Sequence, residues 1–378
     1  MSEGGRKVLM TADAVGGVWT YALDLGAALA RRGDRVTLAV LGPAPSDAQS
    51  AGAVARGLGL VGLGHPPDWL AGNAAAVGDG GAALAALARR EEADLVHLNH
   101  PALAAGAASG RPVFDRPVLA MCHSCVATWW DAVRGGPLPE DFRWRTALHE
   151  AGVAAADAVA APSASFAEAT RRVYGFGTAP LVVPNGRDAP APAPDREAPP
   201  APAVLTAGRL WDEGKNLAVL DRAAARLPVT VEAAGPLEGP NGARIALRRT
   251  VALGPLDAAA MRAKLAERPV FASTALYEPF GLSVLEAAQA GCALVLSDIP
   301  TFRELWADCA LFVPPHDDRA LAAAILRLLG DRAERAECAD LSRRRAARYT
   351  VDAMADATLK AHAAAVAAHT HSGPRPAR

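Results

Sequence analysis

In the stretch YEPFGLSVLEAAQAG, residues 277–291, Glu278 and Glu286 stand eight residues apart, with Pro279, Phe280 and Gly281 forming a turn between them. Leu282 to Ala290 reads as a helix that Gly291 ends. Its first turn leaves backbone N–H groups unpaired over about residues 280–284, and the helix dipole makes that end a seat for phosphate. A carboxylate accepts hydrogen bonds from two neighbouring hydroxyls at once. Two carboxylates beside a phosphate seat therefore suit a molecule that carries phosphate between two polyols. A solvated surface residue is the plain alternative for Glu278. Glu286 sits in an apolar helix, where a carboxylate needs partners.

Cations for such a phosphate stand in AGRLWDEGKN, where Gly208, Arg209 and Lys215 follow a strand. Arg209 can grip two oxygens in a fork and Lys215 adds a point charge, which together suit a pyrophosphate. One Arg and one Lys in a surface loop are commonplace on their own. Gly16 and Gly17 in TADAVGGVW let the backbone approach a ligand at another helix N-terminus, or serve as a tight turn. This is not the G-x-G-x-x-G of a dinucleotide site, and no acidic residue ends the next strand, RVTLAVLG.

His123 in LAMCHSCVATWW follows a buried strand. As a neutral imidazole it can hydrogen-bond a sugar hydroxyl or a phosphate oxygen, or it can be a core histidine. Cys122 and Cys125 flank it as C-x-x-C, without the second ligand pair a zinc site needs. His97, Asn99 and His100, at the end of DLVHLNH, are placed on the acceptor side. His369 and His371 read as inert residues of a frayed tail. There is no Asp-x-Asp pair to hold a cation, so no metal is expected.

These residues need strand ends and helix starts to hold them. The 378 residues suffice for about two domains. Strands are expected at 7–10, 35–42, 93–99, 116–123, 157–163 and 180–186, with a helix over 18–33 whose face is Trp19, Leu23, Ala27 and Ala30. A Pro- and Ala-rich linker, 187–203, follows. The alternation restarts with strands at 203–208, 229–235, 249–254, 269–274 and 293–298 and helices at 216–227 and 257–267; helices dominate from about 317 to 368. Near-continuous apolar strands between helices imply parallel sheets covered on both faces. Ligands of such sheets lie at the carboxyl ends of the strands, so two facing sheets would make a ligand cleft.

The composition is 51% hydrophobic and 21% charged, that of a globular chain. A net charge of −1 gives no reason to expect nucleic acid, and it leaves a peripheral membrane contact open. The N-terminus has no long apolar region, and no run of about 18 apolar residues occurs. Five cysteines without a disulfide spacing suggest reduced thiols and a cytoplasmic location.

Together, GGVWTYALDLGAALARRGDRVTLAVLG, VPNGRD, AGRLWDEGKN and YEPFGLSVLEAAQAGCALVLSDIPTFRELW resemble the family 4 glycosyltransferases, a large retaining group of the GT-B fold, over about residues 7–350. The segment from Glu278 to Glu286 matches that family's E-x7-E motif. The resemblance implies an α/β protein of two Rossmann-like, doubly wound parallel-sheet domains facing across a cleft. Residues 1–186 would bind the acceptor, with a helix at 351–368 packed back on them, and 204–350 would bind the donor. Glu286 would hold the ribose hydroxyls. Glu278, with the backbone of Phe280, Gly281 and Leu282, would bind the donor sugar and phosphates. Arg209 and Lys215 would neutralise the diphosphate beside Gly208, and Gly16 and Gly17 would let the N-terminal loop close over it. His123 would lie near the donor sugar, the base near Gly254–Leu256, and Asn185 and Gly186 would form the turn before the linker. The implied catalytic set is His123, Arg209, Lys215 and Glu278.

The implied reaction moves a sugar from a nucleoside diphosphate sugar to a hydroxyl acceptor: a glycan, a lipid carrier or a small metabolite. The nucleotide sugar is a co-substrate, and no cofactor is implied. The alternatives are another sugar-nucleotide enzyme of this architecture, an epimerase or a pyridoxal-phosphate phosphorylase, and a non-catalytic sugar-nucleotide binder.

Overall fold

The computed structural model describes residues 5–106, 113–189 and 200–371. The chain divides into two compact units, Met1–Asn185 with Val351–Arg378 and Gly186–Thr350.

The first unit is built on β1 (Lys7–Asp13), β2 (Arg35–Leu41), β3 (Gly59–Gly62), β4 (Leu95–Leu98), β5 (Val118–Met121), β6 (Ala158–Ala161) and β7 (Leu181–Val182). The strands are parallel in the order β3-β2-β1-β4-β5-β6-β7. Its helices are α1 (Gly17–Arg31), α2 (Asp47–Val54), α3 (Ala74–Arg90), α4 (Val126–Val133), α5 (Glu140–Ala155) and α6 (Ala164–Tyr174). The order reverses between β1 and β4, which makes their carboxyl ends a ligand position.

The second unit contains β8 (Val204–Ala207), α7 (Leu217–Ala224), β9 (Val231–Ala234), β10 (Val251–Gly254), α8 (Ala258–Ala266), β11 (Val270–Ser273), α9 (Leu282–Ala290), β12 (Leu294–Ser297), α10 (Pro300–Trp306), β13 (Leu311–Val313), α11 (Asp318–Gly330) and α12 (Arg332–Ala346). Its parallel sheet runs β10-β9-β8-β11-β12-β13, with the reversal between β8 and β11. The chain then returns to the first unit as α13 (Val351–His371), where Val351, Met354, Ala355, Ala361 and Ala365 join the core beneath α1.

The anticipated apolar stripe of α1 is displaced. Leu25, Leu29, Ala22 and Ala28 are fully buried, whereas Leu23, Ala27 and Ala30 are half-buried. The sheet lies on one side of α1 and α13 on the other, so the buried surface is wider than one stripe. The short strands β3 and β13 were not anticipated. The first is GLVG, weakened by two glycines, and the second is only three residues long.

The linker assignment is corrected at both ends. Arg187 donates its backbone N–H to the carbonyl of Tyr349, and Ala201 donates to that of Glu267. Both residues are built into the second unit. Of the proposed linker, 190–199 lies outside the described residues. The tail is corrected too: α13 continues through His371, and His369 places Nδ1 3.2 Å from Oδ2 of Asp157, whose side chain is nearly covered. The rest of that tail, 372–378, is outside the described residues. No helix among the described residues is long and apolar enough to cross a membrane.

Candidate active site

In the second unit, the loops after β8 and β11 meet at the point where strand order reverses. The β8 loop carries Arg209 and Lys215; the β11 loop carries Glu278. Backbone and side-chain bonds join the two loops. Leu276 N–H donates to Gly214 O at 2.8 Å, and Thr274 Oγ1 donates to Lys215 O at 3.0 Å. Asn216 Nδ2 donates to Thr274 O at 3.1 Å and to Pro315 O at 2.7 Å. Lys215 is thereby held so that its ammonium donates to Glu278 Oε2 in a close ion pair. Lys215 keeps 21% of its side-chain surface and Glu278 13%, so the pair is semi-enclosed yet reachable.

Arg209 does not join that pair. It donates to Asp212 Oδ2 at 3.1 Å, and its side chain is 48% exposed. Nor do the two glutamates meet the same cation. Glu286, on α9, accepts from Arg187 Nε at 2.9 Å.

Glycines shape the floor. Gly281 caps α9 with φ 91°, and a Cβ there would meet Glu278 Cγ and a Phe302 ring carbon, each at 3.3 Å. Only glycine takes that conformation without strain. The amide end of α9 thus starts beside Glu278, with Leu282 as first helical residue; the Phe280 ring is buried edge-on to Tyr349. Gly208, Gly235 and Gly254 follow or end three adjacent strands. A Cβ on Gly235 would sit 1.9 Å from the Gly208 carbonyl oxygen, so side chains are excluded where those backbones touch. Gly254 accepts from Gly235 N–H at 2.8 Å, and Leu256 is half-buried nearby in sequence.

The first unit assembles a different cluster at its own reversal point. Asn99 donates its backbone N–H to Thr11 Oγ1 at 2.7 Å and its Nδ2 to Thr11 O at 2.6 Å. The carboxamide is therefore oriented, and its Oδ1 faces His123 Nε2 at 2.9 Å. An oxygen acceptor there requires His123 Nε2 to carry the proton, which leaves Nδ1 as an acceptor on a neutral ring. Desolvation, aided by the neighbouring His97 and His100, holds the His123 pKa down at about 3, and Tyr21 packs edge-on at 4.4 Å. Of the two partners considered for His123, a sugar hydroxyl fits Nδ1; a phosphate oxygen, itself an acceptor, does not. His100 Nε2 lies 3.0 Å from Asp13 Oδ2, both buried, while Asp13 Oδ1 accepts from Val15 N–H and fixes the loop before Gly16. Gly16 caps α1 with φ 84°, and Gly17 opens it; both are exposed.

His97 is corrected. It is fully buried, 3.0 Å from His362 Nε2 on α13, and lines no open surface. The C-x-x-C is structural: Cys125 Sγ caps α4 by accepting from Thr128 N–H, and Cys122 Sγ lies 3.6 Å from His149. Burial raises both thiol pKa values, and all five cysteines are free. Among the described residues no group of three or more His, Cys, Asp or Glu is placed to hold a metal ion.

Residues 15–189 match the family profile described as Glycosyltransferase Family 4, and residues 201–331 the one described as Glycosyl transferases group 1. The chain belongs to the family 4 glycosyltransferases. It is 29% identical over 304 residues to a glycogen synthase of Mycobacterium tuberculosis, covering 75% of this chain and 71% of that one. A sucrose-phosphate synthase from Thermosynechococcus elongatus superposes with a TM-score of 0.76 at 20% identity, covering 96% and 100% of the two chains. Anabaena HepE in complex with UDP-glucose superposes at 0.71 and 20% identity, covering 94% and 98%. These structures share the GT-B fold with this glycosyltransferase.

Sequence reasoning missed four contributors. Arg187 was assigned to a linker, although a cation beside an N-G turn and a helical glutamate seeking a partner were both visible. Gly235 ends the apolar run VTVEAAG and was passed over as a strand end. Asn216 and Thr274 gave no signal, because loop stitching is a long-range property.

Proposed function

We propose that this glycosyltransferase takes its sugar from a nucleoside diphosphate sugar and transfers it to a hydroxyl with retention of configuration, using no metal or other cofactor. The observation that carries the proposal is the Lys215–Glu278 pair beside the amide end of α9, at the reversal point of the second sheet. In the donor complex the Lys215 ammonium turns to the diphosphate, and Glu278 accepts from hydroxyls of the sugar. Arg209 exchanges Asp212 for phosphate oxygens, and Glu286 takes the ribose diol.

The C–O bond to the diphosphate breaks as the acceptor oxygen bonds to the same face of the sugar. The acceptor proton passes to the departing phosphate oxygen. No enzymic nucleophile is required. Charge builds on the leaving group, so Lys215 and the helix end stabilise the transition state more than the ground state. His123 Nδ1 accepts from a sugar hydroxyl, holding it without adding positive charge.

The acceptor is a hydroxyl compound, a soluble one being favoured over a peripheral membrane contact because the basic residues of 50–145 make no obvious lipid-facing stripe in the sequence. Free, mostly buried thiols favour a cytoplasmic location.

Thermal-shift titration with UDP-, GDP-, ADP- and TDP-glucose tests the donor, UDP-glucose first because HepE carries it. One of the four is expected to raise the melting temperature, and an acceptor screen read by NMR is expected to give product of the donor's anomeric configuration. Four null titrations would remove the donor assignment; inverted product would remove the same-face mechanism. Donor consumed without acceptor would favour an epimerase.

A further inference from the structure

Arg187 is the first residue after Gly186, where the chain enters the second unit, and it is fixed at three points. Its N–H donates to the carbonyl of Tyr349, one residue before the unit ends at Thr350. Its carbonyl accepts from Gln289 Nε2 at 2.7 Å. Its guanidinium Nε donates to Glu286 Oε1 at 2.9 Å. Gln289 and Glu286 lie three residues apart on α9, so one residue grips one face of that helix by main chain and side chain together.

The two main-chain bonds have a consequence for the side chain. They set where the Arg187 Cα lies relative to α9, so the guanidinium reaches Glu286 from an anchored base and not from a mobile loop. A lone glutamate a quarter to a third exposed samples several rotamers. One held by an anchored guanidinium keeps its carboxylate in a single orientation, and a carboxylate has lone pairs for more than one donor.

We propose that Arg187 is a positioning residue for Glu286: by fixing that carboxylate it sets the enzyme's discrimination in favour of nucleotides with both ribose hydroxyls. The inference rests on the donor-site reading above. Arg187 touches no reacting atom; its effect passes through Glu286. A partly exposed ion pair contributes little to stability, and the main-chain bonds of residue 187 survive substitution. Arg187→Ala therefore folds, and its effect appears in ribose recognition.

The test is calorimetric titration of wild type, Arg187→Ala and Arg187→Lys with UDP, GDP and ADP, with the 2′,3′-dideoxy form of whichever binds, and with inorganic pyrophosphate. Wild type is expected to lose about tenfold or more in affinity for the dideoxy nucleotide. Arg187→Ala is expected to bind the ribonucleotide about tenfold more weakly and the dideoxy form as wild type does, so that discrimination collapses. Arg187→Lys restores part of it, and pyrophosphate affinity stays equal in all three. Full discrimination in Arg187→Ala, or an equal loss for pyrophosphate and both nucleotides, overturns the inference alone. Wild type that binds no nucleoside diphosphate overturns the donor-site reading and this inference with it. Wild type that ignores the ribose hydroxyls removes the Glu286 role on which the inference depends.

Discussion

The two units share one architecture and place chemistry at the same topological point, yet the groups there are of opposite character. In the first unit Thr11, Asn99 and the Asp13–His100 pair are buried, and the half-buried His123 is a neutral ring whose proton is placed by Asn99, itself held by Thr11. In the second, Lys215–Glu278 and Arg187–Glu286 are semi-enclosed ion pairs, and Arg209–Asp212 is more open. A neutral, pre-oriented acceptor suits a hydroxyl group. Charges paired with one another suit an anionic ligand, because a diphosphate can take the cation while the released carboxylate takes hydroxyls. The shared fold supplies the position; the side chains decide between a neutral and a charged ligand.

The largest expected effect falls on the charged side. Lys215→Ala should lower kcat about 10²–10³-fold, as loss of one positioned charge-stabilising group does. The melting temperature should change little; near-full turnover would dissolve the contrast.

Acid should separate the units next. In the first, His97, His149 and His362 are buried and kept neutral, their pKa values pushed down by desolvation, to about 3 for His97 and about 4 for His149. A histidine with a lowered folded pKa contributes stability above its unfolded value near 6.5, and this is lost as pH falls toward the folded value. Each such histidine removes about 1.4 kcal/mol per pH unit in that window. In the second unit, Asp221 is desolvated, yet backbone N–H groups of Arg249, Thr250 and Arg248 outweigh that and lower its pKa. Its contribution holds above about pH 3.9 and is lost only as pH falls below that. Hydrogen exchange at pH 5 should therefore show β1–β6 losing protection before β8–β13. The reverse order would contradict the assignment.

A smaller change sharpens the neutral side. Asn99→Asp keeps an acceptor for His123 Nε2 and gives up the donation to Thr11 O, but adds a charge that favours the imidazolium. The His123 pKa should rise, so the rate should fall as pH drops from 8 to 6, by about tenfold at the acid end. Wild type should lack that limb once corrected for folded fraction. The smallest effect is Arg209→Ala on stability, under about 1 kcal/mol by chemical denaturation, because the Arg209 guanidinium is about half exposed and its pairing with Asp212 is screened by water. A larger loss would mean that the open pair is structural after all.

Much of this was legible in the chain. The strands at 7–10, 35–42 and 293–298 and the helix ended by Gly291 follow from apolar runs and breaker residues, which act over a few positions. The spacing of Glu278 and Glu286 and the order of Arg209 and Lys215 were equally local. What the sequence could not state is who faces whom. Lys215 meets Glu278 across 63 residues, Arg187 meets Glu286 across 99, and His369 meets Asp157 across 212. The same limit hid the His123 tautomer, which depends on a carboxamide fixed by a neighbouring strand. Local pattern determined the elements and the chemical types at their ends, because propensity and turn chemistry are properties of short segments. Tertiary structure decided the pairings and the protonation pattern, because both depend on distance and burial, which exist only once the sheets have closed.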